Sequence, residues 1–371
     1  ILSRILAYSN STLKRGQYIS RINRRMHNKS FTIDNQITVI GGRNIADEYF
    51  GAREDENFAD LDVVGIGPIV QEVSTLFDTY WNHETAIPVG AFMPKLDDTD
   101  AELKRVSHLL EDSYRNILAS EYEEAVKSKI LTFMDTNHDA FQWSDYQLVY
   151  DSPEKGIRSE AKKAPSITTA LADSIGSAEK EVLLVSPYFV PRKTGINGLT
   201  DKQRNGVQVT ILTNSMAANN HLMVHSGYAP SRKPLLQQEV KIYEIRPDSQ
   251  IDGAEFVAAS GAKATLHTKA FIIDRKDLFI GSFNFDPRSA NINTEMGVII
   301  KSPELADYFA DRAEAALKTK AFEVFLDSKG NLRWRGWDAE SEVIYDKEPL
   351  TKWFQRFTAS LLGLFPIKGQ L

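Results

Sequence analysis

Cysteine is absent from the 371 residues, which excludes disulfides, thiolate zinc sites, iron–sulfur clusters and a cysteine nucleophile together. The redox compartment stays open, because an oxidising one tolerates a chain without thiols. Glycine (21) and proline (14) are too sparse for a collagenous or low-complexity protein. No apolar run approaches the roughly 18 residues of a membrane-spanning helix; the richest, 63–70 and 181–190, are of strand length. An excess of basic residues is missing too. Lys and Arg number 44 against 50 Asp and Glu, a net charge of −6, which counts against nonspecific nucleic-acid binding. With 42% hydrophobic and 25% charged residues the chain is not disordered, and its length suits two or three domains.

What is present is an internal repeat. His27-Asn28-Lys29-Ser30-Phe31-Thr32-Ile33-Asp34, running on to Gly41-Gly42-Arg43-Asn44, matches His267-Thr268-Lys269-Ala270-Phe271-Ile272-Ile273-Asp274, running on to Gly281-Ser282-Phe283-Asn284. Counted from each His, Lys falls at +2, Asp at +7, Gly at +14 and Asn at +17, and eight of the eighteen aligned positions are identical. Each copy reads as strand, polar turn, strand. Period two puts His and Lys on one face of the first strand.

Around the repeat the pattern is α/β. Residues 101–128 carry dense charge at helical period and read as one or two solvated helices. Residues 166–178 read as a helix leading into a buried strand at 181–185, with further strands at 207–213 and 240–245. About eighty residues of such structure precede His267, whereas only 26 precede His27. The chain also opens on Ile1, with neither methionine nor a signal pattern. It is therefore expected to be N-terminally incomplete. The expected division is a first lobe over 1–85, a helical insertion over 86–145, a second lobe over 146–310 and an extension over 311–371. The lobes are expected to be related by a pseudo-two-fold axis, each a mixed sheet flanked by helices, with one active site between them.

An imidazole beside an ammonium, supplied twice, suits attack on a phosphodiester. One His attacks phosphorus while the other, across the scissile bond, protonates the leaving alcohol. Lys29 and Lys269 would neutralise the non-bridging oxygens, and Asn44 and Asn284 would donate hydrogen bonds to them. The scheme needs no metal and no cofactor. A histidine nucleophile also needs its other ring nitrogen held, usually by a carboxylate. Glu295 lies eight residues before Pro303, and Asp60 eight before Pro68. Glu295 is accordingly expected to hold His267, and Asp60 to hold His27, with Asp62 as the alternative. Asp34 and Asp274 belong to the repeat, but as turn residues they suit support better than chemistry.

The doubled H-x-K-x4-D with its trailing G-x2-N resembles the phospholipase D superfamily. Within it, Ser186-Pro187-Tyr188-Phe189-Val190-Pro191, Thr213-Asn214-Ser215 and Val224-His225-Ser226-Gly227-Tyr228 with Arg232 look like the bacterial cardiolipin synthases. Arg24-Arg25-Met26-His27-Asn28-Lys29-Ser30-Phe31, with Gly41-Gly42-Arg43-Asn44-Ile45, looks most like the type-C branch. The resemblance implies a metal-independent, two-step transfer of a phosphatidyl group through a phosphohistidine to the hydroxyl of a phosphatidylglycerol, with phosphatidylethanolamine or phosphatidylglycerol as donor. The pattern leaves the nucleophile open; the family's habit points to His27. Ser282 would touch phosphate, with no counterpart at Gly42, and His225, Tyr228 and Arg232 would touch headgroup or acceptor phosphate. A membrane surface is implied as partner and a bacterial inner membrane as location, with no nucleic acid. The alternatives are hydrolysis with water as acceptor, a phosphodiester nuclease, and a lipid-binding scaffold.

Gly65-Ile66-Gly67 is no dinucleotide loop, since Pro68 interrupts it. His138-Asp139 lacks the companions of a metal site, and His83 and His108 sit in charged, helix-like surroundings. At the C-terminus, 351–364 set Trp353, Phe354, Phe357, Leu361 and Leu364 on one helical stripe, with Lys352 and Arg356 largely off it. Such a stripe fits a helix lying in a membrane interface, or a terminal helix packed on the protein's own core. Arg15, Arg21, Arg24 and Arg25 would face anionic headgroups or be merely solvated.

Overall fold

The computed structural model describes residues 23–50, 56–91, 98–118, 127, 141–156, 166–219, 221–248, 263–338 and 341–363. Two compact units divide the chain, one of Ile1–Ile22 with Leu76–Gln142, the other of Asn23–Thr75 with Trp143–Leu371.

The second unit opens with the hairpin β1 (Ser30–Ile33) and β2 (Ile37–Gly41), then β3 (Glu56–Ala59), β4 (Asp62–Ile66) and the start of helix α1 (Pro68–Trp81). The first unit holds the end of α1 and α2 (Thr99–Leu118), a helix with no buried residue, as its dense charge led us to expect. The second unit resumes with β5 (Asp145–Tyr150), α3 (Ile167–Ser177), β6 (Glu181–Val185), α4 (Arg192–Arg204), β7 (Gln208–Asn214), α5 (Leu222–Tyr228), α6 (Arg232–Leu236) and β8 (Lys241–Ile245). It continues through β9 (Lys263–Leu266), β10 (Ala270–Ile273), β11 (Asp277–Gly281), α7 (Pro287–Asn291), β12 (Met296–Lys301) and α8 (Pro303–Lys320). It closes with β13 (Ala321–Leu326), β14 (Leu332–Asp338), β15 (Ser341–Tyr345) and α9 (Trp353–Leu362). The helix and strands expected over 166–245 are α3, β6, β7 and β8.

The two copies of the repeat fold alike. β1 pairs antiparallel with β2 from Ser30↔Ile40 to Ile33↔Ile37, and β10 with β11 from Ala270↔Ile280 to Ile273↔Asp277, the same register. Both turns place two consecutive residues in the left-handed region, Asp34 and Asn35 (φ 50° and 53°) and Asp274 and Arg275 (φ 53° for both). Two such residues in each three-residue connection give the chain a turn that matches strand twist, and Asp and Asn tolerate that conformation best among residues with a side chain. β4 then pairs with β2 as β12 pairs with β11, so Asp60 and Glu295 hold corresponding places just before those strands.

The surroundings of the copies differ. β1, β2 and β4 form a three-stranded sheet, whereas β10–β12 lie inside a ten-stranded mixed sheet of order β15-β14-β13-β8-β7-β6-β10-β11-β12-β5. β6–β7 and β7–β8 are its parallel pairs, with α4 crossing from β6 to β7. Val182, Leu184, Val209, Ile211, Ile242 and Phe271 pack into one core with Ile167, Leu171 and Leu199 of the helices. Phe271 is 1% exposed, and its counterpart Phe31 is 63% exposed. Among the described residues no helix is long and apolar enough to cross a membrane.

Candidate active site

Two crossings bring the copies together. Met26 bridges Thr294, with the His27 amide donating to the Thr294 carbonyl (2.9 Å) and the Thr294 amide to the Arg25 carbonyl (3.0 Å). This lays the approach to His27 alongside the approach to Glu295. In the other crossing, β3 pairs parallel with β9, and the His267 amide donates to the Ala59 carbonyl at 2.8 Å. Asp60, next along the chain, is thereby set against His267.

The carboxylates are accordingly exchanged relative to the sequence expectation. His27 Nδ1 lies 2.7 Å from Glu295 Oε2, and His267 Nδ1 lies 2.5 Å from Asp60 Oδ2. The expectation treated each half as self-contained. The strand crossings carry each carboxylate to the other half's histidine. Asp62, the alternative partner, instead binds Arg43 Nε at 2.6 Å. A carboxylate only accepts, so in both rings Nδ1 carries a proton and Nε2 is the nitrogen left for chemistry.

The site is dry enough for burial to govern its charges. Burial, helped by the Lys269 charge, brings His267 down to about 4 against the opposing pull of Asp60. Burial likewise takes both Lys29 and Lys269 to about 8. Lys29 also feels the like charge of Lys269, so the two ammonium groups share one electrostatic environment. Burial alone would raise Asp60, but Lys269 and the His267 hydrogen bond outweigh it and hold the carboxylate below its ordinary range. Glu295 is held low in the same way by His27 and Ser282, against its burial. Lys29 Nζ donates to the His27 carbonyl at 2.8 Å. Lys269 Nζ sits 2.6 and 3.1 Å from the two nitrogens of His267.

Ser282 does not face a phosphate. It is fully buried and donates to Glu295 Oε2 at 2.5 Å while accepting from the Met296 amide at 3.1 Å, so it positions the carboxylate that holds His27. Gly42, its counterpart, is explained by the same geometry. A Cβ on Gly42 would stand 2.6 Å from Asp60 Oδ1. The shorter Asp60 occupies the space that Ser282 fills below the longer Glu295.

The turn aspartates are not in the site. Asp274 accepts from the backbone amides of Glu179, Lys180 and Glu181 (2.9, 2.7 and 2.9 Å) and so anchors the start of β6. Asp34 is exposed and has no side-chain hydrogen bond among the described residues. His225, Tyr228 and Arg232 are buried in a network of their own. Arg232 binds Glu244 (3.1 Å) and Glu348 (2.6 Å), Tyr228 donates to Glu244 (2.9 Å), and His225 Nε2 lies 3.2 Å from Glu348. Trp334 Nε1 donates to Glu244 at 2.8 Å. These groups tie α5, α6 and β8 to the segment entering α9 and present nothing to a headgroup. Arg24 is half-buried and donates to the Lys155 carbonyl at 2.5 Å, and Arg25 is exposed. Arg15, Arg21, His138, Asp139 and Leu364 lie outside the described residues.

Asn44 donates to the phenol of Tyr49 at 2.7 Å, and that phenol lies 3.3 Å from His267 Nε2. Tyr49 is buried, which raises its pKa, so the O–H is intact to donate to the ring. Its ring meets His267 edge-on at 4.9 Å, and Phe58, in edge contact with Tyr49 at 4.9 Å, stacks on His267 at 5.6 Å. Neither residue was found from sequence. Tyr49 aligns with Ser289 of the second copy and Phe58 precedes Asp60 in another strand, so comparing the copies gives no signal for either. Asn284, three residues past the end of β11, is buried with its Oδ1 unpartnered among the described residues. No group of three or more His, Asp or Glu side chains among the described residues is placed to hold a metal ion.

A family described as "Cardiolipin synthase, PLD-like domain" matches residues 171–317. Cardiolipin synthase C of Escherichia coli (strain K12) is 38% identical over 357 residues, covering 95% of this chain and 74% of that protein. Cardiolipin synthase 1 of Staphylococcus epidermidis (strain ATCC 35984) is 23% identical over 343 residues, 92% of this chain and 54% of that one. In fold, phosphatidylserine synthase of Haemophilus influenzae Rd KW20 superposes with a TM-score of 0.55 at 12% identity, covering 95% of this chain and 72% of its own.

Proposed function

The chain belongs to the cardiolipin synthase family of phospholipase D-like enzymes, and we propose that its two histidines carry a phosphatidyl group from one phospholipid to the hydroxyl of a phosphatidylglycerol. The single observation that carries this reading is the pair of crossed dyads, His27–Glu295 and His267–Asp60, with Lys29 and Lys269 beside them. The donor is phosphatidylethanolamine or a second phosphatidylglycerol. The lipids would come from a bacterial inner membrane, with the described residues at its periphery.

In the first step one imidazole Nε2 attacks the donor's phosphorus, a P–N bond forms and the P–O bond to the headgroup alcohol breaks. The other imidazolium gives its Nε2 proton to that alcohol. In the second step the same ring, now neutral, takes the proton of the acceptor hydroxyl as its oxygen attacks phosphorus and the P–N bond breaks. Cardiolipin and the free alcohol leave, and both rings return to their first states. Asp60 and Glu295 hold the rings and stabilise each imidazolium as it forms. Lys29 and Lys269 face the non-bridging oxygens, whose negative charge draws the ammonium pKa values back up from about 8. Tyr49 and Phe58 keep water from one side of His267, which favours an alcohol acceptor over water.

The test is mass spectrometry of lipids after incubation with phosphatidylglycerol, with and without phosphatidylethanolamine, beside His27→Ala and His267→Ala. Cardiolipin that needs both histidines supports the transfer, and its dependence on phosphatidylethanolamine identifies the donor. Phosphatidic acid without cardiolipin would replace this reading with hydrolysis.

A further inference from the structure

Helix α9 is amphipathic the wrong way round for a helix that serves its own core. Its large side chains point outward: Trp353 is 72% exposed, Phe357 61%, Phe354 49% and Leu361 47%. Ala359, a small residue, is the one buried among α9's described positions. The helix packs on α5, whose Met223 is also exposed, and Leu350 extends the apolar surface ahead of it. Solvating such a stripe leaves several aromatic side chains largely unburied, which costs free energy.

Charge says what covers it. From residue 349 to 371 there is no Asp or Glu, while Lys352, Arg356 and Lys368 are present, in a chain whose net charge is −6. An aromatic stripe flanked only by cations complements an anionic lipid surface, where rings enter the interface and cations meet headgroups. The helix is also held in place. Glu348, just before it, is fixed by Arg232 and His225 in the buried network, and Arg356 Nη1 donates to the Thr351 carbonyl and hydroxyl (2.6 and 2.9 Å).

The surface continues into a groove of about 410 Å³, which runs between Leu350 and Phe354 on one side and Ala217 and Pro247 on the other. Ala217 belongs to the loop that leaves β7, whose Asn214 side chain holds the Leu266 backbone at 2.9 and 3.2 Å, next to His267. We infer that α9, with Leu350 and Met223, is the face on which this enzyme rests on an anionic phospholipid bilayer. The inference rests on phospholipid being the substrate.

Because the chain has no cysteine, Phe357→Cys carries one thiol for an environment-sensitive dye. With vesicles of phosphatidylethanolamine and phosphatidylglycerol the dye's emission rises and shifts to the blue, and nitroxide lipids quench it. With phosphatidylcholine alone the response falls at least tenfold, and a dye at Lys329→Cys, on an exposed turn, does not respond. Trp353→Ser/Phe357→Ser, whose side chains are exposed and leave folding intact, lowers partition and turnover on vesicles at least tenfold. It turns over monomeric short-chain phosphatidylglycerol like the parent.

A dye already shielded without lipid overturns the inference: independent of concentration, the chain covers its own helix; dependent on it, a second copy does. A dye at 357 that stays silent while the protein sediments with vesicles overturns it in favour of another face. So does a double variant that fails on the monomeric lipid. If instead the parent makes no cardiolipin from either substrate form while the dye still inserts, the proposed transfer fails and the docking face stands.

Discussion

The exchange of carboxylates makes a prediction that either half alone would get wrong: Asp60→Asn will behave as a lesion of His267, and Glu295→Gln as a lesion of His27. Asp60 accepts from His267 Nδ1 through Oδ2 and from the Leu61 amide through Oδ1 at 3.0 Å. An asparagine has one acceptor oxygen for these two donors. Either the Leu61 amide faces an NH2, or His267 flips its tautomer and loses the lone pair at Nε2. Changing the tautomer of a triad histidine lowers kcat by about 10⁴ in the serine-protease precedent, so a loss of about 10³–10⁴, roughly 4–5.5 kcal/mol in the barrier, is expected here. The assay compares phosphodiesters whose leaving groups are a p-nitrophenol and an alkyl alcohol. A low-pKa leaving group departs without a proton, so loss of the general acid is masked with the nitrophenol and severe with the alcohol. Loss of the nucleophile is severe with both. Asp60→Asn should reproduce the leaving-group dependence of His267→Ala, and Glu295→Gln that of His27→Ala, whichever ring is the acid. Asp60→Asn matching His27→Ala would refute the crossed pairing. Thermal melts run alongside separate this from unfolding, since the Asp60→Asn change also leaves the buried Lys269 without its carboxylate.

Tyr49→Phe removes the hydroxyl between Asn44 and His267; at about 1 kcal/mol for the hydrogen bond to His267, kcat/KM should fall about fivefold with the melting temperature nearly unchanged, and an unaltered kcat/KM would dismiss the contact. Lys29 and Lys269 are charged below about 8 and neutral above it, so kcat/KM should decline as pH rises through 8; a profile flat to about pH 10, the range of an unperturbed lysine, would contradict the burial that lowers them. Asp274→Ala unpins three amides at the start of β6 and should cost about 2 kcal/mol by denaturant titration while folded enzyme keeps its kcat; lost activity with unchanged stability would return Asp274 to the chemistry. Arg232→Leu leaves Glu244 and Glu348 buried without their cation and should destabilise by about 3–5 kcal/mol, a claim that a shift below about 1 kcal/mol would end.

The repeat was legible because catalysis and hairpin geometry both write locally. The two hairpins and the Asp at each turn, written by its positive φ, follow from spacing alone, whereas the H-x-K pairs stand just ahead of β1 and β10 and not on the strand face that period two predicts. The carboxylates were legible too, through their matching distance to a proline. Other roles were not. Ser282 and Gly42 differ because Glu295 and Asp60 differ in length, a compensation between positions far apart in sequence. His225, Tyr228 and Arg232 carry chemistry-bearing groups, but whether such groups face a ligand or one another depends on Glu244 and Trp334, from two strands, and Glu348, from the connection into α9.

By itself, then, the sequence determined the reaction class and the two hairpins, since each depends on neighbours within one short stretch. The tertiary structure alone decided which carboxylate serves which histidine, that Tyr49 meets Nε2, and that α9 turns its aromatic stripe outward. Those outcomes turn on the Met26–Thr294 bridge, the β3–β9 pairing and the seat of α9 on α5, contacts made between segments remote along the chain. Local propensity carries no term for such contacts. They are set by which strand edges and helix faces can be buried together.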